Sequence, residues 1–77
     1  MNNLKDEAQF AVCINNKNHP ASLELHKIYV VLIDEEATKD GDLRIVDESG
    51  EDYLYSADYF VIIELPKIVQ NSVLAIA

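Results

Sequence analysis

Two short runs of β-formers separated by a glycine-bearing polar tip dictate what this chain can become. Leu43 to Val46 and Tyr53 to Tyr55 flank Asp47 to Asp52, with Gly50 inside the tip. Strand-forming residues on both sides of a turn that offers a position for positive φ predict a β-hairpin. The other apolar segments read as strands added around it. Gln9 to Ile14 is rich in β-formers and sets Phe10, Val12 and Ile14 on one face. Ile28 to Ile33 is the most apolar run. Five of its six residues are β-branched or aromatic, which marks a central strand. Both of its faces are apolar. One points into the core, and Tyr29, Val31 and Ile33 are assigned to it; the other needs a cover, for which the C-terminal segment is available. Phe60 to Leu65 is read as the last strand.

The connections carry their own signals. Asn15 to Pro20 is dense in turn formers, and Leu23-Glu24-Leu25 alternates as a brief extended piece. Asp34 to Gly41 predicts a single helical turn. Asp34 caps it, Glu35 and Glu36 suit its positive end, and Gly41 provides a left-handed exit. Ser56 to Tyr59 is too short and polar for a strand and suits a 3₁₀ turn. Pro66 ends the last strand and opens a helix whose Ile68, Val69, Val73 and Ile76 fall roughly on one stripe. A helix this short is marginal alone and must dock on something. The expected organisation is one domain. Residues 1–8 form a polar, frayed start, 9–65 a small closed or partly open β-barrel, and 66–77 an amphipathic helix packed on the barrel or on a partner.

Charge bounds the partners. The 77 residues carry 14 acids and 6 Lys or Arg, a net charge of −8. Nine of those acids and two of the bases lie between Asp34 and Asp52, so nineteen residues hold −7 of the total. Such a surface repels nucleic acid and anionic membrane and favours a basic protein partner. The same charge also serves solubility through self-repulsion. No apolar run approaches the roughly 18 residues needed to span a bilayer. With one cysteine no internal disulfide is possible, and the first seven residues lack the pattern of a secretory signal. The cytoplasm is therefore the expected compartment.

The order of events resembles the SH3-type barrel: a first strand, a long loop, a meander with a tight distal hairpin, a 3₁₀ turn and a closing strand. Leu23-Glu24-Leu25 resembles its diverging turn, Glu48 to Glu51 its distal tip, and Ser56-Ala57-Asp58-Tyr59-Phe60 its 3₁₀ segment. The block Leu23 to Leu65 also resembles short bacterial proteins without assigned activity that carry an Asp-Glu-Ser-Gly-Glu-Asp-Tyr-Leu-Tyr segment, here Asp47 to Tyr55. The resemblance implies a mostly β fold, a small five-stranded SH3-like barrel with a 3₁₀ turn and a short C-terminal helix. It does not carry over proline-peptide binding. The chain has no Trp, the first strand lacks the Ala-Leu-Tyr-Asp-Tyr motif, and Ser56 stands where the 3₁₀ segment has proline. Of the groove residues only Tyr59 remains.

Candidate chemistry is sparse. Tyr53 and Tyr55 share a strand face, Tyr59 follows closely, and Asp52 and Asp58 lie beside them. Together these five residues form the candidate ligand-binding patch, suited to a cation or a basic side chain. The same tyrosines equally suit a barrel rim, with an apolar body and a wet hydroxyl. Glu36 to Asp47 echoes a calcium loop only faintly. His19, His26 and Cys13 do not converge at a zinc-ligand spacing, and no phosphate-cradling glycine loop or nucleophile elbow occurs. The chain is therefore expected to be non-enzymatic, without cofactor or metal. Its expected role is an acidic protein-interaction or accessory module. The alternative is a structural subunit that self-associates through the C-terminal helix or an apolar strand face, as a homo-oligomer.

Overall fold

The computed structural model describes residues 9–76. The expected frayed start, residues 1–8, lies outside the described residues, as does residue 77 of the expected helix. The chain is mostly β. Five strands, β1 (Gln9–Cys13), β2 (Ile28–Leu32), β3 (Asp42–Val46), β4 (Asp52–Ser56) and β5 (Phe60–Ile63), form one open sheet in the order β4-β3-β2-β1-β5. All neighbouring pairs are antiparallel. A one-turn helix α1 (Glu35–Lys39) links β2 to β3, a 3₁₀ turn (Ala57–Tyr59) links β4 to β5, and α2 (Lys67–Ile76) follows Pro66.

The local signals act as their chemistry requires. Asp34 caps α1 by accepting the Ala37 N–H at 3.0 Å. Gly41 and Gly50 both take positive φ, +81° and +84°, where an L side chain would be strained. The hairpin is in the register Ile45 opposite Tyr53 and Leu43 opposite Tyr55, closed by the Asp47 N–H to the Glu51 carbonyl at 3.0 Å. The Ser56 hydroxyl accepts the Asp58 N–H and so starts the 3₁₀ turn. The Leu23-to-Leu25 segment is not a strand. It belongs to a long loop held by its own backbone bonds, with Leu23 N–H and Ser22 N–H donating to the His19 carbonyl.

Opposed residues of an antiparallel pair share a face, so the register sorts the side chains. One face gathers Ala11, Cys13, Tyr29, Val31, Ile45, Tyr55 and Phe60, and the long loop adds Leu23 to this buried cluster. The other face carries Phe10 and Val30, paired with each other and both buried. The helix α2 packs on β2, so the C-terminal segment covers the second face of the central strand. Tyr29 and Val31 point into the main core as expected, but Ile33 lies past the strand end and is exposed. The expected apolar stripe on α2 is only partly used: Val73 and Leu74 are half-buried, whereas Ile68 is 78% exposed. Among the described residues, no helix is long and apolar enough to cross a membrane.

Candidate functional site

Alternation along β3 and β4 places Leu43, Ile45 and Asp47 on the same face as Tyr53 and Tyr55. Asp47 is thus aimed at the core side, and it is only 6% exposed. A buried carboxylate needs donors. It has three: the Tyr55 hydroxyl at 2.6 Å on Oδ2, and the Ser49 hydroxyl and N–H at 2.6 and 2.8 Å on Oδ1. Burial pushes this carboxyl up, but the hydroxyls of Ser49 and Tyr55 together with the Ser49 N–H outweigh it. The group ends below the usual aspartate range. The Tyr55 hydroxyl moves the other way, raised by burial first and by the Asp47 carboxylate second.

A second bond set fastens the same tip to the long loop. The Tyr29 hydroxyl donates to Glu48 Oε2 and accepts the Glu24 N–H at 2.7 Å. Lys27 Nζ reaches the Glu48 carboxylate at 2.7 Å, and the Glu48 N–H donates to the Ser22 carbonyl at 3.0 Å. Burial, reinforced by Glu48, drives the Tyr29 hydroxyl well above its ordinary value. The Glu48 carboxyl is lowered, chiefly by Lys27 and then by Tyr29. The hairpin tip is therefore not the freely solvated charge that its composition predicts. Asp47 and Glu48 are latches that tie it to the body of the fold. Every buried side-chain polar atom among the described residues has a hydrogen-bond partner.

The five candidate residues divide. Tyr55 is buried, its ring edge-on to His19 at 5.1 Å and near Phe60 at 6.3 Å, so it supports the fold. Tyr59 is half-buried and also meets His19, ring centres 5.6 Å apart. Tyr53 is 50% exposed, its hydroxyl donating to Glu51 at 3.2 Å. Asp58 is exposed in the middle of the 3₁₀ turn. Asp52 lies on the opposite face of β4 and accepts from Arg44 Nη1 at 2.9 Å, while Arg44 Nε donates to Asp34 at 2.9 Å. The Ala37 N–H first, and Arg44 second, hold the Asp34 carboxyl below its ordinary value. Exposed tyrosine and acid thus coincide at Tyr53, whose hydroxyl meets Glu51, while half-buried Tyr59 packs against the core and follows exposed Asp58 in the chain. The residues that the sequence reading missed are His19, which roofs the tyrosines, and Asp47. Period-two alternation from Ile45 was the available signal for Asp47.

A cleft of about 430 Å³ lies between the hairpin tip, β2 and α2, lined by Ile28, Val30, Val46 and Val73 with His26 and Glu48 among its other residues. Cys13 is not part of it; the thiol is fully buried and points at the Asn15 carbonyl. Among the described residues, no group of three or more His, Cys, Asp or Glu side chains is placed to hold a metal ion. Glu36, one end of the calcium-like echo, sits in α1, and Asp47, the other, is occupied by Tyr55 and Ser49. Comparison of the chain with protein-family models, curated proteins and solved structures finds no match.

Proposed function

We propose that the chain is a small SH3-like barrel that acts as a non-enzymatic protein-interaction module for a basic protein surface. The strand order supports the fold: β5 returns to pair with β1, the long loop joins β1 to β2, and a 3₁₀ turn leads into β5. The absence of Trp and of the first-strand motif keeps proline-rich peptides outside the proposal.

The observation that carries the reading is the pairing of accessible tyrosine with unneutralised acid on a fastened frame. Tyr53 beside Glu51 presents an aromatic body next to a carboxylate, which suits a Lys or Arg head group with its aliphatic stem, and Tyr59 with its chain neighbour Asp58 adds a second tyrosine and acid. Of the nine acids in Asp34 to Asp52, Arg44 engages Asp34 and Asp52, Lys27 engages Glu48, and Asp47 is buried. Glu35, Glu36, Asp40, Asp42 and Glu51 have no ion pair among the described residues and supply the long-range attraction. Six bases against fourteen acids disfavour nucleic acid and anionic membrane as partners. The proposed compartment is the cytoplasm, where a single buried thiol needs no disulfide partner.

The test is a titration with an Arg/Lys-rich peptide, followed by amide and tyrosine-ring shifts at rising salt. Binding that weakens with salt and is lost in Tyr53→Ala and Tyr59→Ala supports the module. Affinity indifferent to salt and to both substitutions refutes it.

A further inference from the structure

The two edges of the sheet are not equivalent. Edge strands expose unpaired N–H and C=O groups and are normally guarded by charge, proline or a bulge. At the β4 edge a charge, Asp52, lies within the strand itself and Glu51 directly precedes it, whereas the acids nearest β5, Asp58 and Glu64, lie outside that strand. The β5 edge reads Phe60-Val61-Ile62-Ile63, with no charge, no proline and no glycine. Val61 and Ile62 are 47% and 45% exposed, one on each face of the strand.

The hydrogen-bond phase shows what this edge offers. The Ile14 N–H donates to the Tyr59 carbonyl at 2.8 Å, so residues 59, 61 and 63 direct their backbone groups at β1. Ile62 therefore turns both its N–H and its C=O to the open side. The Phe60 N–H is already used, donating to Ala57. Ile62 is thus the centre of the free edge.

We propose that β5 is the interface of a homodimer, in which two copies pair antiparallel about a two-fold axis beside Ile62. An isologous contact of this kind brings Ile62 opposite Ile62 of the second copy, and Val61 opposite Ile63. These are β-branched cross-strand pairs, the kind that stabilise a ladder, and the two Ile62 residues exchange both hydrogen bonds. The axis sets Phe60 against Glu64, so the two Glu64 carboxylates do not face each other. Charge selects the occupant. Two copies of a chain with net charge −8 repel each other almost everywhere. Residues 60–76 hold one acid, Glu64, and one base, Lys67, and so form a long stretch without net charge. A self-pairing edge lies within it. The cluster of nine acids from Asp34 to Asp52, the main attraction for a basic partner, lies outside this edge. With four residues in the strand, the interface is small and the dimer weak and concentration-dependent.

The experiment combines sedimentation with amide hydrogen exchange on the intact chain. Wild type is expected to shift from monomer to dimer as concentration rises, and the Ile62 N–H to gain protection in step. Ile62→Lys should remain monomeric, and Ile68→Lys, on the exposed side of α2, should still dimerise. Exchange in the wild type needs no variant, so a poorly folded Ile62→Lys chain does not remove the test. A strict monomer at about 1 mM, the weak end of specific association, overturns the proposal. So does a dimer that survives Ile62→Lys or is lost in Ile68→Lys, or one whose formation leaves the Ile62 amide unprotected.

Discussion

Replacing Tyr55 by Phe removes the hydroxyl that fastens the hairpin tip through Asp47 and that also meets the Ser22 side chain. The ring stays in the core beside His19 and Phe60, and only the hydroxyl leaves. Asp47 keeps both Ser49 donors but loses its Tyr55 donor at 2.6 Å. A hydrogen bond to a buried charged group contributes about 1.5–3 kcal/mol, so Tyr55→Phe should cost about 2 kcal/mol. For a 77-residue domain the whole stability is roughly 4–12 kcal/mol, of which this is a large share. The expected fall in Tm is roughly 8–16 °C. Urea unfolding should show a lower midpoint with an unchanged slope, since the folded and unfolded surfaces are the same. Tyr53→Phe is the control, because its hydroxyl is exposed and meets only Glu51; it should leave Tm where it is.

The pH dependence adds a second arm. The Asp47 carboxyl is depressed in the folded protein, so its contribution is complete above the unfolded aspartate value of about 3.9 and is lost as pH falls through the lower folded value. Removing the Tyr55 donor weakens that depression. The gap between wild type and Tyr55→Phe should therefore be constant near neutrality and narrow below about pH 4. A Tyr55→Phe chain as stable as Tyr53→Phe, or a gap that widens in acid, would refute the latch.

Two further outcomes follow from single residues. Gly50→Ala places a Cβ that meets nothing within 4 Å, so only the backbone at φ +84° resists, and thermal unfolding should show a loss of about 1 kcal/mol. Cys13 is fully buried, so its reaction with a thiol reagent should follow the rate or equilibrium of opening, and labelling faster than amide exchange in β1 would contradict that burial.

Much of the scaffold was legible because its signals are local. The Asp34 cap, the positive-φ Gly41 and Gly50, the hairpin itself and the Ser56-started 3₁₀ turn are each fixed by residues a few positions apart. The two apolar faces of β2 also announced a cover, which α2 provides. What the residues did not announce is which acids are free. Composition treats Asp47 and Glu51 alike. The sheet separates them, burying one under Tyr55 and leaving the other outside with Tyr53. Likewise Tyr53, Tyr55 and Tyr59 read as one patch, but the loop carrying His19 covers the middle one. Asp52 left that patch because alternation turns it to the Arg44 side of the sheet. Alternation sorts Asp47 and Asp52 to opposite faces, but the cover over Tyr55 comes from the long loop, more than thirty residues away in the chain, which no local pattern encodes.

Recognition is local to exposed Tyr53 and half-buried Tyr59 and is not a property of the overall charge. Residue-resolved titration with an Arg/Lys-rich peptide separates the two, since every acid is a separate reporter. Shifts should concentrate at Tyr53, Tyr59, His19, Glu51 and Asp58 and be abolished by Tyr53→Ala with Tyr59→Ala while the net charge stays at −8. Shifts spread equally over Glu35, Glu36, Asp40 and Asp42, and unchanged by those substitutions, would contradict it.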